Sequence, residues 1–120
     1  MDNVTTHYMK LNRSPFDKIK NGEKTIEVRC NDEKRQQLRV NDIIVFQLVG
    51  NTDKTITTRI KDLYHFNSFY ELYSYFDFSE FGCEHYTMQQ MLDGIETIYP
   101  KEKEQKYGAL GIRIEVIGNA

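Results

Sequence analysis

The sequence predicts an α+β fold, a small mixed β-barrel carrying about three short helices, on the strength of three observations. Five segments have strand character, the helix signals between them are few and short, and 120 residues are enough for one core. Too few helices alternate with the strands for a doubly wound parallel sheet. Residues 1–120 are therefore read as a single domain.

The first strand is the alternation of His7, Met9 and Leu11 against Tyr8 and Lys10. Ser14 then offers an N-cap oxygen, Pro15 suits the first helical position, and Phe16 and Ile19 form an apolar pair three residues apart. Together they predict a short helix ending near Asn21. Gly22 stands where a left-handed residue would stop that helix and turn the chain. In residues 25–30, Ile26, Val28 and Cys30 alternate with Thr25, Glu27 and Arg29, giving a strand with one apolar and one polar face. Residues 31–39 are mostly polar and read as a rim loop.

The turn Val40-Asn41-Asp42 leads into residues 43–49, whose nearly continuous apolar and β-branched character predicts a strand buried on both faces. Gly50-Asn51-Thr52-Asp53 is dense in turn formers, so residues 55–63 return as the second arm of a hairpin. Nine aromatic rings then crowd into the 18 residues from Tyr64 to Phe81. Ser68 caps a helix there in which Phe69, Leu72, Tyr73 and Phe76 recur at helical spacing. Such a stripe reads first as core, with one or two rings lining a base-stacking pocket as the functional alternative.

Thr87 and Gln90 are spaced as a capping box, opening a further helix striped by Met88, Met91, Leu92 and Ile95. After Tyr99-Pro100 the charged residues 101–106 read as a turn. Leu110, Ile112, Ile114 and Val116 then alternate against Arg113 and Glu115 in a closing strand. No internal repeat or low-complexity tract interrupts the series.

Composition narrows the function classes. Apolar residues at 39% and charged residues at 28% suit an ordinary globular protein. No run approaches the roughly 18 apolar residues of a membrane span, and Met1-Asp2-Asn3 opens no secretory segment, so no membrane partner is expected and the expected compartment is the cytoplasm. Cys30 and Cys83 lack metal-type spacing and are not grouped with His7, His65 or His85; no metal or cofactor is expected, and Cys30 reads as a small buried hydrophobe. A net charge of −2 and a pI near 5.9 argue against long duplex DNA. Residues 1–61 nevertheless carry a positive surplus, compatible with a single phosphate or a short RNA segment.

The basic half also holds the candidate site. Lys24, Thr25, Glu27 and Arg29 fall on one strand or at its mouth, and Glu84 is the acid to consider with them. Charged groups partly buried at a barrel mouth must pair, so a Glu27–Arg29 salt bridge is the plain structural reading. The functional reading gives Arg29 a planar fork for a phosphate or base carbonyl, Lys24 a second cation, and Glu27 or Glu84 a carboxylate for an amino group. That set suits a nucleobase. It also suits amide hydrolysis by a lysine base, a hydroxyl nucleophile and an acid.

The run Gly22-x-Lys24-Thr25-x-Glu27-x-Arg29, the upstream Pro15-Phe16 with Ile19, the Val40-Asn41-Asp42 turn and the closing Tyr107-Gly108-Ala109-Leu110-x-Ile112 resemble the ASCH domain family over nearly the whole chain. The resemblance implies the PUA-like β-barrel, a cleft between barrel and helices, and RNA, a nucleotide or a modified nucleoside as ligand. Lys24, Thr25, Glu27, Arg29, Tyr64 and Glu84 would line the cleft, with Tyr64 or another ring stacking on a base. Some small bacterial members are amidohydrolases of N4-acetylcytidine that use a lysine, a threonine and a glutamate. Lys24 falls on that lysine, and Glu84, by its spacing from Tyr99-Pro100, on that glutamate. The threonine's place is taken by Glu27, so the hydrolase reading rests on Lys24 and Glu84 with Glu27 between them. A third reading, an adaptor whose aromatic 64–81 segment grips another protein, requires those rings to be exposed.

Overall fold

A computed structural model describes residues 3–119. Met1 and Asp2, part of the reading that no secretory segment opens the chain, lie outside the described residues. Five strands form one sheet: β1 (Thr6–Leu11), β2 (Ile26–Cys30), β3 (Ile43–Leu48), β4 (Asn51–Phe66) and β5 (Ala109–Asn119). Their order is β1-β3-β4-β5-β2, with β1 parallel to β3 and every other neighbour antiparallel. The first two strands in sequence thus form the two edges of the sheet. Helix α1 (Arg13–Lys20) carries the chain from one edge to the other.

The sheet curls into a half-barrel because β4, 16 residues long, breaks register against both neighbours and bends at the breaks. Its concave side holds one core, in which Phe16 and Ile19 of α1 pack among Ile44, Phe46, Ile60, Leu110 and Ile112. A second core lies across the sheet. There Ile26, Val28 and Cys30 meet α2 (Phe69–Tyr75) and α3 (Met88–Glu96) through Phe69, Leu72, Met91 and Ile95. Strand alternation sends consecutive β2 side chains to opposite faces, so Glu27 and Arg29 leave the face of β2 that carries Ile26, Val28 and Cys30 and meet the second core only at the edge, through residues such as Tyr73 and Tyr99. No helix among the described residues is long and apolar enough to cross a membrane.

Most local expectations hold. Ser68 accepts a hydrogen bond from the Glu71 amide, Thr87 and Gln90 form a reciprocal capping box, and Gly22 takes a left-handed φ of 86°. Three expectations need correction. Asn12 rather than Ser14 holds the N-cap position of α1, without a side-chain capping bond, because the Phe16 amide already bonds the Asn12 carbonyl; Pro15 sits within the first turn, where no intrahelical donor is needed. Strand β3 is fully buried on one face only, at Ile44, Phe46 and Leu48, since the second core covers β2 and β5 and leaves the outer face of β3 half-open. Residues 101–106 belong to a fourth helix, α4 (Lys101–Tyr107), not a turn. Its sequence has no apolar stripe, and a tertiary bond, the Phe69 amide donating to the Glu104 carboxylate, docks it.

Buried Asp42 ties the start of β1 to the turn before β3. Its carboxylate accepts from the Thr5 and Arg39 amides and lies 2.8 Å from His7 Nε2. Asn41 just before it takes a positive φ of 78°, which asparagine tolerates better than most residues.

Candidate functional site

Because β1 and β2 are unpaired edges, the half-barrel has an opening between them, and α3 with the segments flanking it forms the opposite wall. Lys24 is set at the mouth of β2 by backbone bonds. Its amide donates to the Lys18 carbonyl, and the next amide, of Thr25, donates to the Glu80 carbonyl. From there Lys24 Nζ reaches Glu27 Oε1 at 2.9 Å, while Arg29 Nε holds Glu27 Oε2 at 2.8 Å. Arg29 Nη2 also donates to the Lys10 carbonyl at 3.1 Å, bridging from the β2 edge to the β1 edge.

Glu27 is a buried carboxylate, 4% exposed. Burial alone would push its carboxyl up, but the charges and hydrogen bonds of Lys24 and Arg29 outweigh that and hold it below its ordinary value. Burial likewise works against the Arg29 cation, and Glu27 with Tyr99 reverses the effect, so its value is raised. Two cations around one carboxylate leave one surplus positive charge.

This cluster lines a cleft of about 350 Å³, within the ~300–1,000 Å³ typical of small-ligand sites. The rest of the wall is mainly apolar and aromatic, with Val28, Tyr73, Phe81, Tyr86, Met91, Ile95, Ile98 and Tyr99, and takes in the polar Lys10, Asn12 and Gln90. Tyr86 and Ile98 are exposed at the rim, while Tyr73 and Tyr99 are buried. Cys83 also faces the cleft, with its thiol 4.0 Å from Lys18 Nζ.

The structure brings together three of the six residues singled out from the sequence: Lys24, Glu27 and Arg29. The other three lie elsewhere. Thr25 bonds the Glu80 carbonyl and borders a separate shallow depression with Lys20, Lys61 and Arg113. Tyr64 accepts from Arg113 Nε and packs edge-on against Phe76, on the other side of the sheet. Glu84 sits at the tip of the loop after Phe81, its side chain 68% exposed and beside His85. Cys83 and, at the rim, Tyr86 of the same loop line the cleft, while Glu84 points out to water.

Sequence reasoning missed Tyr73, Tyr86, Ile98 and Tyr99 as cleft residues. Tyr73 lay in a helical stripe indistinguishable from core, and only the exposure of Tyr86 and Ile98, large apolar side chains at the rim, marks them out. The aromatic 64–81 segment builds mainly the second core. Phe69, Tyr73, Phe76 and Phe81 are buried, leaving Tyr70 and Tyr75 as its exposed rings, so the adaptor reading loses its basis. Cys30 is fully buried, as its strand position predicted.

Known structures share this fold. The crystal structure of a hypothetical protein, PH0355, superposes with a TM-score of 0.84 at 29% identity, covering 94% of this chain and 100% of its own. A solution structure of a protein from Pyrococcus furiosus gives 0.75 at 28% identity, covering 94% and 98%. A mutant of the ZmASCH protein from Zymomonas mobilis shares the fold at 14% identity, with a TM-score of 0.60, covering 100% of this chain and 76% of its own. No curated protein sequence gives a significant match. The half-barrel is of the PUA-like type. The ASCH domain profile matches residues 9–118, from within β1 almost to the end of β5, and the chain therefore belongs to the ASCH domain family.

Proposed function

We propose that the cleft binds a ligand bearing a nucleobase: a short RNA segment, a nucleotide or a modified nucleoside. The observation that carries this reading is the Lys24–Glu27–Arg29 cluster, desolvated yet open to an aromatic-walled cleft of about 350 Å³. A buried ion cluster adds little stability over well-packed apolar residues, so its presence in an open cleft favours a ligand-directed role. The remaining N–H groups of Arg29 suit a phosphate or carbonyl oxygen, and the surplus positive charge favours an anion. Glu27 accepts from an exocyclic amino group, and the rim ring of Tyr86 offers a stacking face.

Titration of short RNAs and nucleosides at low salt tests the reading against two variants. Arg29→Ala and Tyr86→Ala are each expected to weaken binding at least tenfold, about 1.4 kcal/mol. Tyr86 is the cleaner probe, since its exposed ring is not part of the core. Equal binding by all three proteins, or none by any, would reject the assignment.

The hydrolytic reading has less behind it. Glu27 offers no hydroxyl where the resemblance places a threonine, and Glu84 stands outside the cleft, which removes the acid as well. N4-acetylcytidine incubated with the protein is expected to survive. Cytidine released faster than in buffer, and not by Lys24→Ala, would reinstate hydrolysis.

A further inference from the structure

Buried polar groups in folded proteins are nearly always hydrogen-bonded, because an unpaired one costs stability. Tyr73 is a mostly buried residue whose polar atom finds no partner among the described residues. It projects from the middle of α2, is 6% exposed, and has its ring packed edge-on against Phe78 and Phe81. Its hydroxyl makes no hydrogen bond among the described residues. Nor is it one of the two side-chain atoms there that are both sealed from solvent and unpaired, Asn31 Oδ1 and Arg35 Nε. Tyr73 lines the cleft.

Burial raises the Tyr73 phenol above its ordinary value, and Glu27 and Cys83 add to the rise. The hydroxyl therefore keeps its proton throughout the physiological range. It shares the cleft with Glu27, whose negative charge contributes to the rise. A protonated phenol free to donate stands near a carboxylate that can only accept.

We propose that Tyr73 is a specificity-determining residue of the cleft, donating its phenolic hydrogen to an acceptor atom of the bound nucleobase while Glu27 accepts a hydrogen from a neighbouring N–H. The proposal rests on the nucleobase reading above. It gives an apolar-walled cleft a polar end that distinguishes one base edge from another. A base presenting an acceptor beside a donor in the right order satisfies both groups, and one with the order reversed leaves both unpaired.

The experiment measures calorimetric affinities of the monophosphates of cytidine, uridine, adenosine and guanosine for the wild type and for Tyr73→Phe, together with both thermal midpoints. Tyr73→Phe is expected to lose about tenfold for the best-bound nucleotide, about 1.4 kcal/mol, and less for the weakest, so that the preference among the four shrinks. Its midpoint is expected to equal or exceed that of the wild type, because no internal hydrogen bond is removed. A lowered midpoint would show that the hydroxyl serves the fold, and unchanged affinities would show that it does not meet the ligand; either result overturns the proposal. Failure of the wild type to bind any of the four would overturn the nucleobase reading itself, a result distinct from binding that Tyr73→Phe leaves intact.

Discussion

Glu27→Gln probes the centre of the site most directly. The carboxylate is 4% exposed and is held at 2.9 Å by Lys24 and 2.8 Å by Arg29. With charge centres about 4 Å apart and an effective dielectric near 20, each attraction is worth ~4 kcal/mol before desolvation is set against it. Glutamine keeps the shape and removes the charge. Two cations, with side chains 14% and 13% exposed, then face each other without a counter-ion. Taking one partner out of a buried cluster costs about 3–5 kcal/mol, a large share of the ~5–15 kcal/mol that holds a domain folded. For a chain of this size the Tm should fall by roughly 10–20 °C. Thermal unfolding followed by circular dichroism at neutral pH and low salt reads this directly. A Tm within about 2 °C of the wild type, under 1 kcal/mol on the same scale, would refute the claim that Glu27 anchors a desolvated network. The triple variant Lys24→Met, Glu27→Leu, Arg29→Met is the companion. It removes all three charges together, so its stability should match or exceed the wild type by about 1–4 kcal/mol, while ligand binding disappears.

Acid should weaken the fold. Glu27, Asp32 and Asp42 all titrate lower in the folded chain than their ordinary values of 4.5, 3.8 and 3.8, so their contribution is complete above that range and is lost as pH falls through the folded values. The Tm should stay flat above about pH 5 and drop below it; a profile still flat at about pH 3 would contradict the assignment of these three carboxylates. Gly108 takes a φ of 75°, and a Cβ there would lie 2.5 Å from the Phe66 carbonyl oxygen. Gly108→Ala should cost roughly 2–4 kcal/mol, against about 1 kcal/mol for Gly22→Ala, whose φ is similar but whose Cβ meets nothing within 4 Å. Similar denaturation midpoints for the two variants would show that the close approach at Gly108 relaxes freely. Thr87→Ala should cost about 1 kcal/mol through loss of the α3 capping box; an unchanged urea midpoint would mean that the α3 terminus contributes nothing to global stability.

Local chemistry was legible in the chain wherever neighbouring residues decide it. The alternation in residues 26–30 told which side chains of β2 go together, because a strand's period of two is a backbone property, whereas Thr25, just before the strand, leaves the group it was read with. The caps at Ser68 and Thr87 and the left-handed Gly22 were equally plain, since each depends on bonds or sterics spanning three or four residues. Helix α4 was not legible: its residues lack an apolar stripe, and its docking depends on Glu104 reaching Phe69, 35 residues away.

The candidate site divides along the same line. Lys24, Glu27 and Arg29 share one strand or its mouth, so their meeting follows from sequence spacing. Glu84, Tyr64 and Thr25 are placed by long-range packing. The loop that brings Cys83 to the cleft and Tyr86 to its rim sends Glu84 out, and Tyr64 lies away from the cleft, bonded to Arg113. The sequence by itself determined the fold class and set Lys24, Glu27 and Arg29 on one strand or its mouth, but it also offered Glu84, which the fold turns outward. The tertiary structure decided that the cluster is desolvated, that an opening lies between two unpaired edges, and that Tyr73 ends there unpaired. Burial and enclosure depend on elements distant in the chain, and no local pattern encodes them.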